Sequence, residues 1–146
     1  MDIRRALREE MGQASALIEA SGLPPLPAGL PLSNTLVALE GGRVVGVAAL
    51  EVVARRGLTR WLAVAPEHPE PGLAVSLLRS LLSRAQELGL REIYAATPDA
   101  ADAFAAVGFS RVADAAVPYE IRSLKSYPDP PDDSLEILRL EMETRI

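Results

Sequence analysis

Few residue types in this chain can do chemistry. There is no cysteine and a single histidine, His68, among 146 residues. Thiol nucleophiles, disulfide frameworks, zinc clusters and multi-histidine metal sites are therefore excluded, and a Ser/His/Asp triad would depend on His68 alone. Carboxylates, arginines, tyrosines, serines and backbone amides remain. Glu51 ends the apolar run Val44–Val53. Partial burial there would make it a general base worth testing, whereas on a solvated strand end it would do nothing chemical. Arg60, within Leu58-Thr59-Arg60-Trp61-Leu62, is a charge inside a strand. It is able either to clamp a carboxylate in bidentate fashion or simply to pair at an edge. The third feature is backbone: an apolar run Leu58–Ala65, a broken turn, and a helix from Gly72. A helix start presents unpaired N–H groups and a positive dipole end, which suit a phosphate or diphosphate, although most such junctions are plain connections.

The surrounding pattern supplies the elements that must hold these residues. Asp2–Ala6 alternates as a first strand, and Leu7, Met11, Ala14, Leu17 and Ile18 then recur at helical spacing up to Ser21-Gly22. Leu23–Ser33 carries prolines at 24, 25, 27 and 31 and reads as a loop or broken helix. Thr35–Glu40, Gly41-Gly42 and Arg43–Val53 form a hairpin, and Arg55-Arg56-Gly57 turns into the strand Leu58–Ala65. Pro66–Pro71 breaks that strand before the amphipathic helix Gly72–Leu88, which Gly89 ends. A strand over Arg91–Ala96, a helix over Pro98–Val107, a strand over Phe109–Val117 and an irregular segment Tyr119–Asp133 follow. Leu135–Met142 reads as a closing strand, with a short helix as the alternative. The order β-α-β-β-β-α-β-α-β-β predicts one α/β domain over 1–146, its sheet largely antiparallel with a βαβ crossover behind.

Composition bounds the partners. Fifteen Lys+Arg against twenty Asp+Glu give a net charge of −5, without the basic face that nucleic acid requires. Charged residues crowd the first twenty positions, and no apolar run reaches the ~18 residues of a membrane span, so the expected compartment is the cytoplasm. His68 is expected to lie exposed in a Pro-rich turn. The Asp129–Asp133 cluster lacks the spacing and glycine of a calcium loop and reads as a solvated turn.

Two stretches add a resemblance. Leu62-Ala63-Val64-Ala65-Pro66-Glu67, followed by Gly72-Leu73-Ala74 and a Leu-rich helix, resembles the acetyl-CoA motif of the GNAT acetyltransferase superfamily. Ala103-Phe104-Ala105-Ala106-Val107-Gly108-Phe109 is similar to its helix-then-Gly-Phe signature. A narrower resemblance, to the arsenic-resistance N-acetyltransferase branch, runs through Val45-Gly46-Val47, Leu50-Glu51, Leu58-Thr59-Arg60, Leu62–Val64, Val117–Arg122 and Pro131–Met142. The resemblance implies a GNAT-like mixed sheet flanked by helices. It also implies transfer of acetyl from acetyl-CoA to the amine of a small amino-acid-like molecule, with no metal. Cofactor contacts would come from Leu62, Ala63, Val64, Gly72, Leu73, Ala74 and Val75. Glu51 would serve as base, and Arg60 and Tyr119 would meet the substrate; Glu120 and Arg122 lie in the same substrate-side stretch.

Departures from that motif set up a second reading. Pro69 stands where the family places Arg or Gln, Glu70 replaces a Gly, and Pro71 precedes Gly72. Proline has no N–H, so two donors are lost; hydrogen bonds to charged groups are worth ~1.5–3 kcal/mol each. Glu67 and Glu70 add like charge beside the expected diphosphate, and Phe104 occupies the position of the family's acid tyrosine. The alternative is therefore a GNAT-fold protein with impaired or lost CoA binding that serves as a binding or dimerising module, its terminal strand available to pair across a homodimer.

Overall fold

The computed structural model of the chain describes residues 1–68, 71–128 and 131–142. Its strands are β1 (Asp2–Arg5), β2 (Thr35–Glu40), β3 (Arg43–Val53), β4 (Arg56–Val64), β5 (Glu92–Thr97), β6 (Ser110–Arg111) and β7 (Glu136–Glu141). Its helices are α1 (Met11–Ala20), α2 (Pro71–Glu87), α3 (Ala101–Ala106) and α4 (Tyr119–Arg122). The strands form one sheet in the order β1-β2-β3-β4-β5-β7-β6. Every adjacent pair is antiparallel except β4 and β5, which the crossover through α2 makes parallel. The architecture is the mixed α/β one that the sequence predicts.

Alternation along the strands sorts the core into two faces. On one face Leu50, Ile93 and Ala95 meet Leu77, Leu78 and Leu81 of α2 and Phe104 of α3. On the other, Val37, Val47, Ala49 and Trp61 meet Ala14 and Ile18 of α1, while Leu58, Tyr94 and Ala96 meet Ile121 and Tyr127. Two short contacts fix the entry to α1. Arg4 grips Glu10 through Nη1–Oε1 and Nη2–Oε2 bonds of 2.9 and 2.7 Å, and the Leu7 N–H donates to the same carboxylate at 2.8 Å. The Arg4 hydrogen bond holds the Glu10 carboxyl below the ordinary carboxylate range.

The Gly41-Gly42 hairpin forms as expected, both residues at positive φ (58° and 79°), which the tight turn requires. The next turn does not fall at Arg55-Arg56-Gly57. It is made by Ala54 and Arg55, with Ala54 itself at φ 54°, so that Arg56 and Gly57 already belong to β4. The helix expected over Pro98–Val107 begins only at Ala101, because the Thr97 hydroxyl accepts the Ala100 N–H at 2.9 Å and holds Pro98–Ala100 as a bend. The strand expected over Phe109–Val117 stops after Arg111. Beyond the Val112 N–H bond to Ile137 (3.0 Å), the chain turns through a 3-10 segment at Asp114–Ala116. Arg122 grips the Asp114 carbonyl at 2.7 Å and the Tyr127 hydroxyl bonds its carboxylate. The expected irregular segment thus contains α4. The terminal segment is a strand, but an interior one, lying between β5 and β6 rather than along a free edge.

Candidate active site

The site begins with a break in pairing. Between Ala49↔Trp61 and Glu51↔Leu58 the register of β3 and β4 shifts, placing an extra residue at Thr59-Arg60. At the same level the parallel pairing of β4 with β5 ends, its last pair being Thr59↔Ala95. From Arg60 to Val64, β4 keeps β3 on one side and has no β5 ladder on the other. The Ala65 N–H donates to the Val45 carbonyl at 2.8 Å. Alternation then directs the Ala63 N–H towards β3 and leaves those of Leu62 and Val64 facing the open side. A fork between strands therefore exposes two oriented backbone donors.

A cleft of about 360 Å³ fills this fork. Its walls come from Leu62–Pro66, Ala74 of α2, Ala100 and Ala103 beside and within α3, and Ser21 and Leu23 behind α1. The α2 N-terminus opens at its side, and first-turn N–H groups have no intrahelical partner. Of the residues expected to touch a cofactor there, Leu62, Ala63, Val64 and Ala74 line the cleft, whereas Gly72, Leu73 and Val75 do not. Leu73 and Val75 are half-buried against the core. A Cβ on Gly72 would meet nothing within 4 Å. A side chain added at Gly72 would thus leave the packing undisturbed.

Pro69 and Glu70 lie outside the described residues. Glu67 differs from the sequence expectation: its carboxylate is turned onto Arg43 at the start of β3, so its charge is paired rather than free beside the helix end. His68 is not exposed either. Its side chain is 19% accessible, lines the cleft, and stands 3.1 Å from Glu40. Asp99 and Asp102 also line the cleft. Phe104 is 1% exposed and packs edge-on to Phe109 with ring centres 5.0 Å apart, so it sits in the core and donates nothing to the cleft.

The face opposite α2 carries the other candidates. Trp61 is fully buried, and its indole N–H donates to the Pro24 carbonyl at 3.0 Å, fixing the Pro-rich loop against the sheet. Glu51 is half-buried and lines a pocket of about 200 Å³ with Pro27–Pro31 and Asn34, and its buried Oε1 has no partner among the described residues. Arg60 donates from Nη1 to the Ser126 carbonyl at 2.9 Å, while its buried Nε has no partner among the described residues. Burial lowers its pKa, opposed by the charge of Asp132. An orphaned carboxylate oxygen and an orphaned guanidinium N–H are costly unless a ligand completes them. Tyr119 is 79% exposed at the start of α4 and lines neither pocket. Glu120 and Arg122 are engaged elsewhere, with Arg56 (3.1 Å) and Asp114 (3.3 Å). Among the described residues no group of acidic or histidine side chains could hold a metal, and no helix is long and apolar enough to cross a membrane.

Solved structures share this fold. The N-acetylglutamate synthase of Neisseria gonorrhoeae, complexed with coenzyme A and N-acetyl-glutamate, superposes with a TM-score of 0.80 at 23% identity over 98% of this chain. The chain spans only about a third (35%) of that synthase. Rv2747 of Mycobacterium tuberculosis, in complex with CoA and NLQ, gives 0.82 at 23% identity, covering 98% of this chain and 100% of that one. The ribosomal-protein-S18-alanine N-acetyltransferase of Escherichia coli gives 0.69 at 14% identity, covering 99% and 95%. No curated protein matches the chain significantly. The model of the Acetyltransferase (GNAT) family matches residues 6–109, which takes in the β4–β5 fork, α2 and the Gly108-Phe109 pair. With its fork, its helix start and this match over most of its length, the chain belongs to the GNAT acetyltransferase family.

Proposed function

We propose that the chain is an N-acetyltransferase that moves acetyl from acetyl-CoA to the primary amine of a small amino-acid-like molecule, the substrate class of the arsenic-resistance branch. The observation that carries this reading is the fork itself: the Leu62 and Val64 N–H groups face an open cleft beside the start of α2. The donor set fits the cofactor. The α2 amides from Gly72 onward are available for a diphosphate, and the aliphatic walls at Leu62, Val64 and Ala103 suit an uncharged arm. Acetyl-CoA, when bound, supplies the acetyl group as a thioester.

The chain's own groups do the rest. Leu62 and Val64 donate to the carbonyl oxygen, where negative charge develops. Glu51 takes a proton from the acceptor ammonium, directly or through water, at its unpartnered Oε1. Arg60 holds an acidic group of the acceptor with Nε and its remaining guanidinium donors. Phe104 leaves the departing thiolate to solvent water. That feature also favours a second reading, a GNAT-fold protein with impaired or lost CoA binding that serves as a binding or dimerising module.

Titration calorimetry with acetyl-CoA, followed by free-thiol release with a panel of amino-acid-like amines, tests the two readings. The proposal expects micromolar binding, weakened by a bulky residue at Gly72, and amine-dependent thiol release. No binding at millimolar acetyl-CoA contradicts it and supports the module, and binding without turnover on any amine contradicts the transfer reaction.

A further inference from the structure

We propose that Trp61 and Arg84 are positioning residues that hold the Pro-rich segment over Glu51 and so set the size of the amine that is accepted, an inference that rests on the acetyl-transfer reading of the site. Ser21, Gly22 and Leu23 follow α1 and are held by it. Their N–H groups donate back to the Leu17, Ile18 and Glu19 carbonyls at 3.0–3.2 Å. From Pro24 onward the backbone changes character. Pro24, Pro25, Pro27 and Pro31 have no N–H. The backbone bonds found between Pro24 and Asn34 are local turns, from Leu30 to Pro27 (3.3 Å) and from Asn34 to Pro31 (2.9 Å). Leu26 and Leu30 pack on the core around Trp61, but apolar contact is non-directional and does not fix a backbone by itself. Direction comes from two side chains. At one end the Trp61 indole N–H donates to the Pro24 carbonyl at 3.0 Å. At the other, Arg84 of α2 donates from Nε to Asn34 Oδ1 (3.2 Å) and from Nη2 to the Ser33 hydroxyl (3.1 Å).

Between the two anchors lies the wall of the Glu51 pocket. Pro27–Pro31 and Asn34 enclose about 200 Å³ with Glu51 and Val52, less than the ~300–1,000 Å³ of sites for drug-sized ligands. Glu51 lines that space, and its buried Oε1 has no partner among the described residues. An acceptor whose ammonium meets Glu51 must fit its side chain against the proline wall. The position of the wall therefore decides how large that side chain can be. Proline locks φ near about −65°, so the segment is stiff, and releasing an anchor displaces the wall as a unit. The cofactor cleft is served differently. This part of the chain reaches it only at Ser21 and Leu23, on the side that α1 holds. Loss of an anchor thus alters the acceptor pocket and leaves cofactor binding as it is.

The test is the acceptor preference of the full chain with acetyl-CoA and glycine, L-alanine, L-leucine or L-phenylalanine, read as free-thiol release. Wild type should prefer the shorter side chains. Trp61→Phe keeps a ring in the core and removes the donor. It should lower the ratio of kcat/KM for L-alanine over L-phenylalanine by about three- to tenfold, the size of one hydrogen bond, through the KM values rather than kcat. Arg84→Met lies on the flank of α2 outside the buried core, should act in the same direction, and keeps the proposal testable should Trp61→Phe fail to fold. Arg84→Lys should recover part of the loss. Acetyl-CoA affinity, measured by calorimetry, should stay at the wild-type value in all three. A wild-type preference for L-phenylalanine overturns the proposal, and an unchanged ratio in a folded variant removes that anchor's role. A parallel loss of acetyl-CoA affinity also overturns it, since a general loosening would then explain the effect. No thiol release by wild type with any of the four amino acids overturns the acetyl-transfer reading on which the anchors' role rests.

Discussion

At its start β4 holds Arg56 between two carboxylates, with Nε 2.7 Å from Glu92 and Nη1 3.1 Å from Glu120. Four residues on, at the bulge, it holds Arg60 with Nη1 on a single carbonyl and Nε buried without a partner. The hydrogen bond that Arg56 donates to Glu92 raises the pKa of Arg56, whereas burial lowers that of Arg60. Both side chains are cations on one strand, although the sequence pattern places Arg56 in the preceding turn and only Arg60 inside the strand. Their surroundings assign them different work. Arg56 joins β4 to β5 and to α4 at the end of the sheet where the ladder is intact. Arg60 stands where that ladder has opened, and its Nε is a donor that none of the described residues uses.

The acceptor side is where this contrast can be broken most severely. If Glu51 takes the acceptor's proton, Glu51→Gln lowers kcat by about 10²- to 10⁴-fold with acetyl-CoA affinity unchanged. Unchanged turnover would strip the orphaned carboxylate of its role. Next in size, Arg60→Gln raises KM for a carboxylate-bearing amine by about 100-fold, the loss of one to two charged hydrogen bonds. Its unfolding free energy falls by no more than about 1 kcal/mol, from loss of the bond to the Ser126 carbonyl. Arg56→Gln shows the opposite pattern. It leaves Glu92, whose side chain is 19% exposed, without its 2.7 Å partner. Stability in urea should fall by about 1–2 kcal/mol, discounted for partial solvation, with acceptor KM unmoved. If both variants altered KM and stability alike, the two ends of β4 would not differ as described.

The smallest expected effect lies just before Arg56. Ala54 turns with φ 54°, a region that costs a non-glycine residue roughly 1 kcal/mol or more. Ala54→Gly relieves that strain but gives back chain entropy. A gain below about 1 kcal/mol in the unfolding midpoint, with kinetics unchanged, is the expected balance.

The same turn shows what the sequence could not reveal. Gly41-Gly42 announces its hairpin because two adjacent positive-φ positions demand glycine. The β3–β4 turn places alanine in a comparable conformation and has no such mark, so the strand start was shifted by two residues. Helix α2 was legible from its Leu77, Leu78 and Leu81 spacing, which is the face that meets the sheet. The short elements were not. Helix α3 depends on the Thr97 hydroxyl, and the end of β6 on Asp114 being gripped by Arg122 and Tyr127. At the site, Leu62 and Val64 were readable as a strand but not as open donors, because the opening comes from where β5 pairs. His68, Glu67 and Arg60 take partners at Glu40, Arg43 and Ser126. Only the folded chain brings those together.

The backbone amides of the fork report on cofactor binding directly. In ¹⁵N-labelled protein titrated with acetyl-CoA, the Leu62 and Val64 amide signals should shift strongly and saturably. Those of Ala63 and Ala65, directed to β3, should move little. Binding that shifts Ala63 and Ala65 as much as Leu62 and Val64, or no shift at all at millimolar acetyl-CoA, would contradict the account.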